Sequence, residues 1–127
     1  MRMVEELDAG PVYMKCPFWL EGKAQTIFER LAHIVYDMIL QIIETEPEPV
    51  PQRDEATYFP RRRPEQSSLP KGGSLEQLYD HIRMLDAETY PRAFIEYGNL
   101  RLEFSDAQIV EGAVRATTSI SPIPGDP

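Results

Sequence analysis

One cysteine, two histidines and one tryptophan in 127 residues leave little room for several kinds of chemistry. A lone thiol, Cys16, cannot close an internal disulfide, which points to a reducing compartment and to a cytoplasmic protein. With only His33 and His81 available, and no Cys/His/Asp spacing of the kind that encloses zinc, no metal site is expected. Basic residues are outnumbered: thirteen Lys or Arg face twenty-one Asp or Glu, a net charge of −8 at pH 7. That balance opposes non-specific attraction to nucleic acid or anionic lipid, which are themselves negative. No apolar run approaches the roughly 20 residues of a membrane span, and no leader with a small-residue cleavage site is visible.

The chain does contain enough apolar residues, 42%, for a modest core. Its length suits one compact domain, or one small domain with an appendage. An acid-rich turn opens it, Glu5-Glu6-Leu7-Asp8-Ala9-Gly10-Pro11, and Val12-Tyr13-Met14 reads as a short strand leaving that turn. From Lys23 to Glu44 apolar residues recur at three- and four-residue steps (Ile27, Phe28, Leu31, Ile34, Val35, Met38, Ile39, Ile42, Ile43), the pattern of a long amphipathic helix with a broad apolar face. Trp19 is expected to fill a groove beside that helix, and Cys16 to be a packed thiol.

Half of the twelve prolines fall between Pro47 and Pro70, which excludes regular helix there and predicts an extended connector. Ser74 with Gln77 three residues on has capping-box spacing and predicts a second helix, with Leu75, Leu78, Tyr79, Ile82 and Leu85 facing inward. Past Pro91 the period drops to two. Gly98-Asn99 tolerates positive φ and predicts a hairpin from Ala93 to Phe104, with a third strand through Ile109 to Thr118 and a fraying tail from Ser119.

Several of these segments, taken together, resemble the formyltransferases that use 10-formyltetrahydrofolate, a family that includes enzymes acting on methionyl-tRNA and on nucleotide sugars. Glu5 to Val12 is similar to the family's catalytic-aspartate loop, a Leu-Asp-x-Gly segment followed by a strand. Ala56-Thr57-Tyr58-Phe59-Pro60-Arg61-Arg62 with Pro64-Glu65 resembles the connector after the catalytic domain, in a form closer to the sugar enzymes. Leu78 to Asp86 and Tyr90 to Phe94 resemble the entry to the C-terminal subdomain.

The resemblance implies an α+β chain: residues 1–46 as a strand and long helix of a Rossmann-like catalytic domain, 47–73 as linker, 74–120 as a helix with a small antiparallel open-barrel-like sheet, and 121–127 as a frayed tail. It implies Asp8 as the carboxylate that handles the amine's proton, and the backbone of Glu5, Glu6 and Leu7 as part of the pterin pocket of 10-formyltetrahydrofolate. The guanidinium forks of Arg61 and Arg62 suit phosphate oxygens and the rings of Tyr58 and Phe59 suit stacking on a base or sugar, which makes these four the candidate contacts to the acceptor, a tRNA or an amino sugar nucleotide; solvated charge and an anchored linker are the simpler readings of the same residues.

In the family an Asn-x-His unit precedes the aspartate and supplies oxyanion stabilisation, a task separate from taking a proton off nitrogen. The 127 residues contain no such unit, and neither His33 nor His81 has an asparagine two places before it. The expectation is a catalytically incomplete chain, partnered either by an N-terminal catalytic half or by a second copy through the 23–44 helix. A self-associating or polyanion-binding accessory module is the alternative.

Overall fold

The computed structural model describes residues 1–53 and 55–123. In chain order it contains α1 (Ala24–Thr45), a short 3-10 helix (Pro64–Ser67), α2 (Leu75–Arg83) and the strands β1 (Ala93–Tyr97), β2 (Leu100–Val110) and β3 (Ala113–Pro122). The strands make one antiparallel sheet in the order β1-β2-β3. With two helices this is the expected α+β class. Two compact units divide the chain: Met1–Leu20 with Phe28–Pro60, and Glu21–Ile27 with the segment from Arg61 onward.

The second unit is organised by its local chemistry. Ser74 Oγ accepts the Gln77 N–H at 3.3 Å and Gln77 Oε1 accepts the Ser74 N–H at 3.0 Å, so the capping box forms as its spacing predicts. Ile82 and Leu85 then enter a core with Ala93, against which Leu69, Leu78, Phe104, Ala107 and Val114 pack. Each large aliphatic side chain so buried contributes about 1.5–3 kcal/mol. One edge of β1 is met by the end of the 3-10 helix, where the Leu69 N–H donates to the Phe94 carbonyl at 2.8 Å.

The hairpin from Ala93 to Phe104 has the expected turn, with Gly98 at φ 61° and Tyr97 opposite Leu100. Beyond it the strands differ from expectation. β2 continues to Val110, Glu111 and Gly112 both take positive φ (52° and 74°), and the third strand begins only at Ala113. A two-residue turn in which both positions adopt positive φ matches the twist of the strands it joins. The tail also departs from the reading: Ser119 to Pro122 stay paired with Glu103 to Leu100, and the Ile123 N–H donates to the Asn99 carbonyl at 2.9 Å. Residues 124–127, the end of the tail expected to fray, lie outside the described residues.

Within β2 the pairing skips. Ser105 faces Thr117 and Gln108 faces Arg115, so Asp106 and Ala107 together oppose the single residue Ala116. This two-against-one bulge, with Asp106 at φ 50°, lets Phe104 and Ala107 pack on the same core although they are three positions apart.

Asp86 fixes the bulge. Its side chain is 4% exposed; Oδ2 accepts the Asp106 N–H at 2.7 Å and Oδ1 accepts from Arg92 Nη1 at 2.7 Å. Its backbone carbonyl accepts the Gln25 N–H at 3.0 Å, one of the donors that the first turn of a helix leaves unpaired. Lys23 Nζ lies 3.8 Å from Asp86 Oδ2 and donates to Asp106 Oδ1 at 2.6 Å. Ala24 and Ile27 are buried, so the start of α1 is an integral part of the second unit.

In the first unit the predicted strand Val12-Tyr13-Met14 reduces to one isolated antiparallel bridge, Val12 with Val50, closed by N–H to carbonyl bonds of 2.8 and 2.9 Å. Flanking prolines Pro11 and Pro51, which lack the N–H a ladder needs, explain why pairing goes no further. Trp19 does not fill a groove; it is 79% exposed. Phe18 is the half-buried aromatic, with the Arg30 guanidinium over its ring at 5.7 Å, and Arg30 Nη2 donates to the Trp19 carbonyl at 3.0 Å. Cys16 is likewise exposed rather than packed, its thiol turned to the Pro17 carbonyl.

From Phe28 onward the broad apolar face of α1 is only partly covered: Ile34, Met38 and Ile42 are half-buried, whereas Leu31, Val35, Ile39 and Ile43 are exposed. The period predicted from the sequence is present, but among the described residues much of the face it defines is uncovered.

Candidate functional site

Asp8 sits in the acidic loop of the first unit at φ 54°, a left-handed conformation that a non-glycine residue adopts at a cost of about 1–2 kcal/mol. The loop is tied at its exit. The Arg2 N–H donates to the Pro11 carbonyl at 2.8 Å, and Gly10 is buried so closely that a Cβ there would stand 1.9 Å from the Arg2 carbonyl oxygen. Glycine at this position is therefore a steric requirement.

A concavity of about 640 Å³ opens beside the loop, lined by Glu6, Leu7, Asp8, Ala9, Gln52 and the run Glu55 to Phe59. Its volume lies within the range of small-molecule sites. The structure thus brings together Asp8, Glu6, Leu7, Tyr58 and Phe59; Glu5 is exposed on the same loop but does not line the concavity. Carboxylates of Glu6, Asp8 and Glu55 give the lining a negative character, suited to an amine rather than to a phosphate. Leu7, Tyr58 and Phe59 add apolar and aromatic surface to the same lining.

Arg61 and Arg62 are not among the lining residues and fall in the second unit. Arg62 Nη2 donates to the Gln66 carbonyl at 2.9 Å, and Gln66 Oε1 accepts the Arg63 N–H at 2.6 Å, so this basic cluster serves the start and end of the 3-10 helix. His33 is exposed on α1, and His81 Nε2 lies 3.3 Å from the Ser67 carbonyl. Among the described residues no group of three His, Cys, Asp or Glu could hold a metal ion.

Two site residues escaped the sequence reading. Glu55 stands three positions before Tyr58, and its carboxylate beside that aromatic pair was a usable signal. Gln52 Nε2 donates to the Asp8 carbonyl at 2.8 Å and to the Gly10 carbonyl at 3.0 Å. No pattern in the sequence links a glutamine to carbonyls 44 and 42 positions away.

Comparison with known proteins agrees with this architecture. Residues 64–121 match the family described as methionyl-tRNA formyltransferase, C-terminal domain. The folded unit is wider than that match, since it also takes in Glu21–Ile27. A methionyl-tRNA formyltransferase from Streptococcus pyogenes serotype M6 is 34% identical over 119 residues, 88% of this chain and 38% of the relative, and one from serotype M12 is 33% identical over the same length. The solved methionyl-tRNA formyltransferase from Clostridium thermocellum aligns with 94% of this chain and 53% of its own at a TM-score of 0.91 and 44% identity. The chain spans 38% of the length of the curated relatives it matches. Residues 64–121 thus belong to the family of methionyl-tRNA formyltransferase C-terminal domains, and the chain corresponds to the C-terminal portion of those proteins.

Proposed function

We propose that this chain is the C-terminal part of a cytoplasmic enzyme that transfers a formyl group from 10-formyltetrahydrofolate to the amino group of methionyl-tRNA. The observation that carries the reading is the Asp8 loop: it borders an acidic, aromatic-flanked concavity in a chain aligned along most of its length with enzymes of that name. Asp8 takes the proton released as the amine acquires its acyl bond. Glu5 to Leu7 offer backbone groups to the pterin, and Tyr58 and Phe59 meet the substrate side of the concavity. The connector's likeness to the sugar enzymes gives way here, because the relatives compared above carry the tRNA name.

The division of labour leaves one task unfilled within these residues. Oxyanion stabilisation needs a donor aimed at the reacting carbonyl. Asn99, the single asparagine, lies in the turn between β1 and β2, and His81 is occupied at Ser67. The chain by itself is therefore proposed to be inactive. Assaying formyl transfer to methionyl-tRNA with the chain alone, and with a chimera in which it replaces the matching part of the Clostridium thermocellum relative, tests this. Transfer by the chimera only is the predicted result; transfer by the isolated chain would overturn it.

A role in association is the second reading, favoured by the exposed side of α1 at Leu31, Val35, Ile39 and Ile43. Patches of this kind mark surfaces that meet another chain. A catalytic N-terminal half is the occupant this reading prefers, with a homodimer through α1 as the form the chain takes without it. Sedimentation as a monomer at high micromolar concentration would remove the homodimer. Polyanion binding has less support: Lys23, Arg83, Arg92, Arg101 and Arg115 in the second unit are each paired with a carboxylate.

A further inference from the structure

We propose that Gln52 is the positioning residue of the Asp8 loop, its carboxamide holding the backbone on which Asp8 is carried. A carboxamide nitrogen has two hydrogens, and the geometry gives each an acceptor: the Asp8 carbonyl at 2.8 Å and the Gly10 carbonyl at 3.0 Å. The Met1 thioether, 3.7 Å away, completes the surroundings of the same nitrogen.

The need for such a residue follows from the strain. Asp8 stands in the left-handed region, and a residue keeps that conformation only where its surroundings enforce it. Arg2 and Val50 secure the exit of the loop at Pro11 and Val12. The Gln52 side chain is what bridges the two carbonyls around Ala9.

Its delivery is also built. The two-rung bridge between Val12 and Val50 sets the connector alongside the loop, two residues before Gln52. The proline-rich connector thereby contributes to the site by ordering it. This inference rests on the reading of Asp8 as the reacting carboxylate, but its test does not.

The test uses the full chain and backbone NMR. Gln52→Met keeps the length of the side chain and removes both donors; Gln52→Glu keeps the shape and sets a carboxylate against two carbonyl oxygens. The order parameters of residues 6–10 are expected to fall from about 0.85 to below about 0.6 in Gln52→Met, and at least as far in Gln52→Glu. The carbonyl carbon resonances of Asp8 and Gly10 move together, while those of β1 and β2 stay in place and show that the fold is intact. Loop order and carbonyl shifts unchanged in both variants would overturn the proposal. Asp8→Asn leaves the Gln52 bonds in place, so failure of the aspartate's chemical role is read separately.

Discussion

The carboxylate of Asp86 accepts the backbone N–H of Asp106 at 2.7 Å across a bulge that the strand pattern alone does not announce. One buried side chain therefore fixes three things: the kink of β2, the guanidinium of Arg92 and, through its own carbonyl, the first turn of α1. A carboxylate at 4% exposure is tolerable because each oxygen has a strong donor.

Asp86→Ala is expected to destabilise the chain by about 2 kcal/mol, the range for losing charged hydrogen bonds, moderated because Arg92 and Lys23 keep access to water. Urea unfolding followed by far-UV circular dichroism reads this directly. A change below about 0.5 kcal/mol would mean that the bulge is held by something else.

The pair beneath it gives a pH dependence. Hydrogen bonding from Lys23 holds the Asp106 carboxyl below the usual carboxylate range, and the same bond raises the Lys23 ammonium above its ordinary value. For Asp106 the stabilisation is present above the unfolded-state value near 4 and is lost as pH falls through the depressed folded value. For Lys23 it is present below the unfolded value near 10.4 and is lost as pH rises through the raised folded value. Both groups are solvated, so the effect is small and weakens with salt. Lys23→Met should flatten both limbs of the thermal-stability profile against pH, and equal slopes in the two proteins would contradict the assignment.

Ser74→Ala removes one half of the capping box and should cost about 1 kcal/mol. It should also release Glu76, whose carboxyl is held below the ordinary range first by the Ser74 hydroxyl and then by its own backbone N–H. Gly73→Ala attacks the same cap from outside. At φ 128°, a new Cβ would stand 2.6 Å from Gln77 Oε1, the atom that accepts the Ser74 N–H. Both variants should lower the denaturation midpoint, the glycine variant through strain as well as through the cap.

Much of this was legible from local signals. Capping box, long helix and first hairpin follow from residues close in sequence, where spacing alone fixes the geometry. The Asp106 bulge depends on a carboxylate twenty positions away, and the Asp8 loop on Gln52 from the connector, so neither leaves a local pattern. Trp19 and Cys16 misled for the same reason: an aromatic or a thiol announces a wish to be buried, but not whether a surface is at hand to bury it. Within the candidate site, Asp8, Leu7, Tyr58 and Phe59 do share one concavity; the arginines were placed with them by sequence proximity, while their hydrogen bonds belong to the following 3-10 helix.

In the proposed function Asp8 handles the amine's proton in formyl transfer. The most direct test of this role compares wild type with Asp8→Asn in the chimera carrying this chain in place of the matching part of the Clostridium thermocellum relative. Asparagine keeps the shape of the loop but cannot take a proton, so kcat for methionyl-tRNA should fall by about 10²-fold or more. A chimera that transfers formyl equally well with either residue would contradict the account.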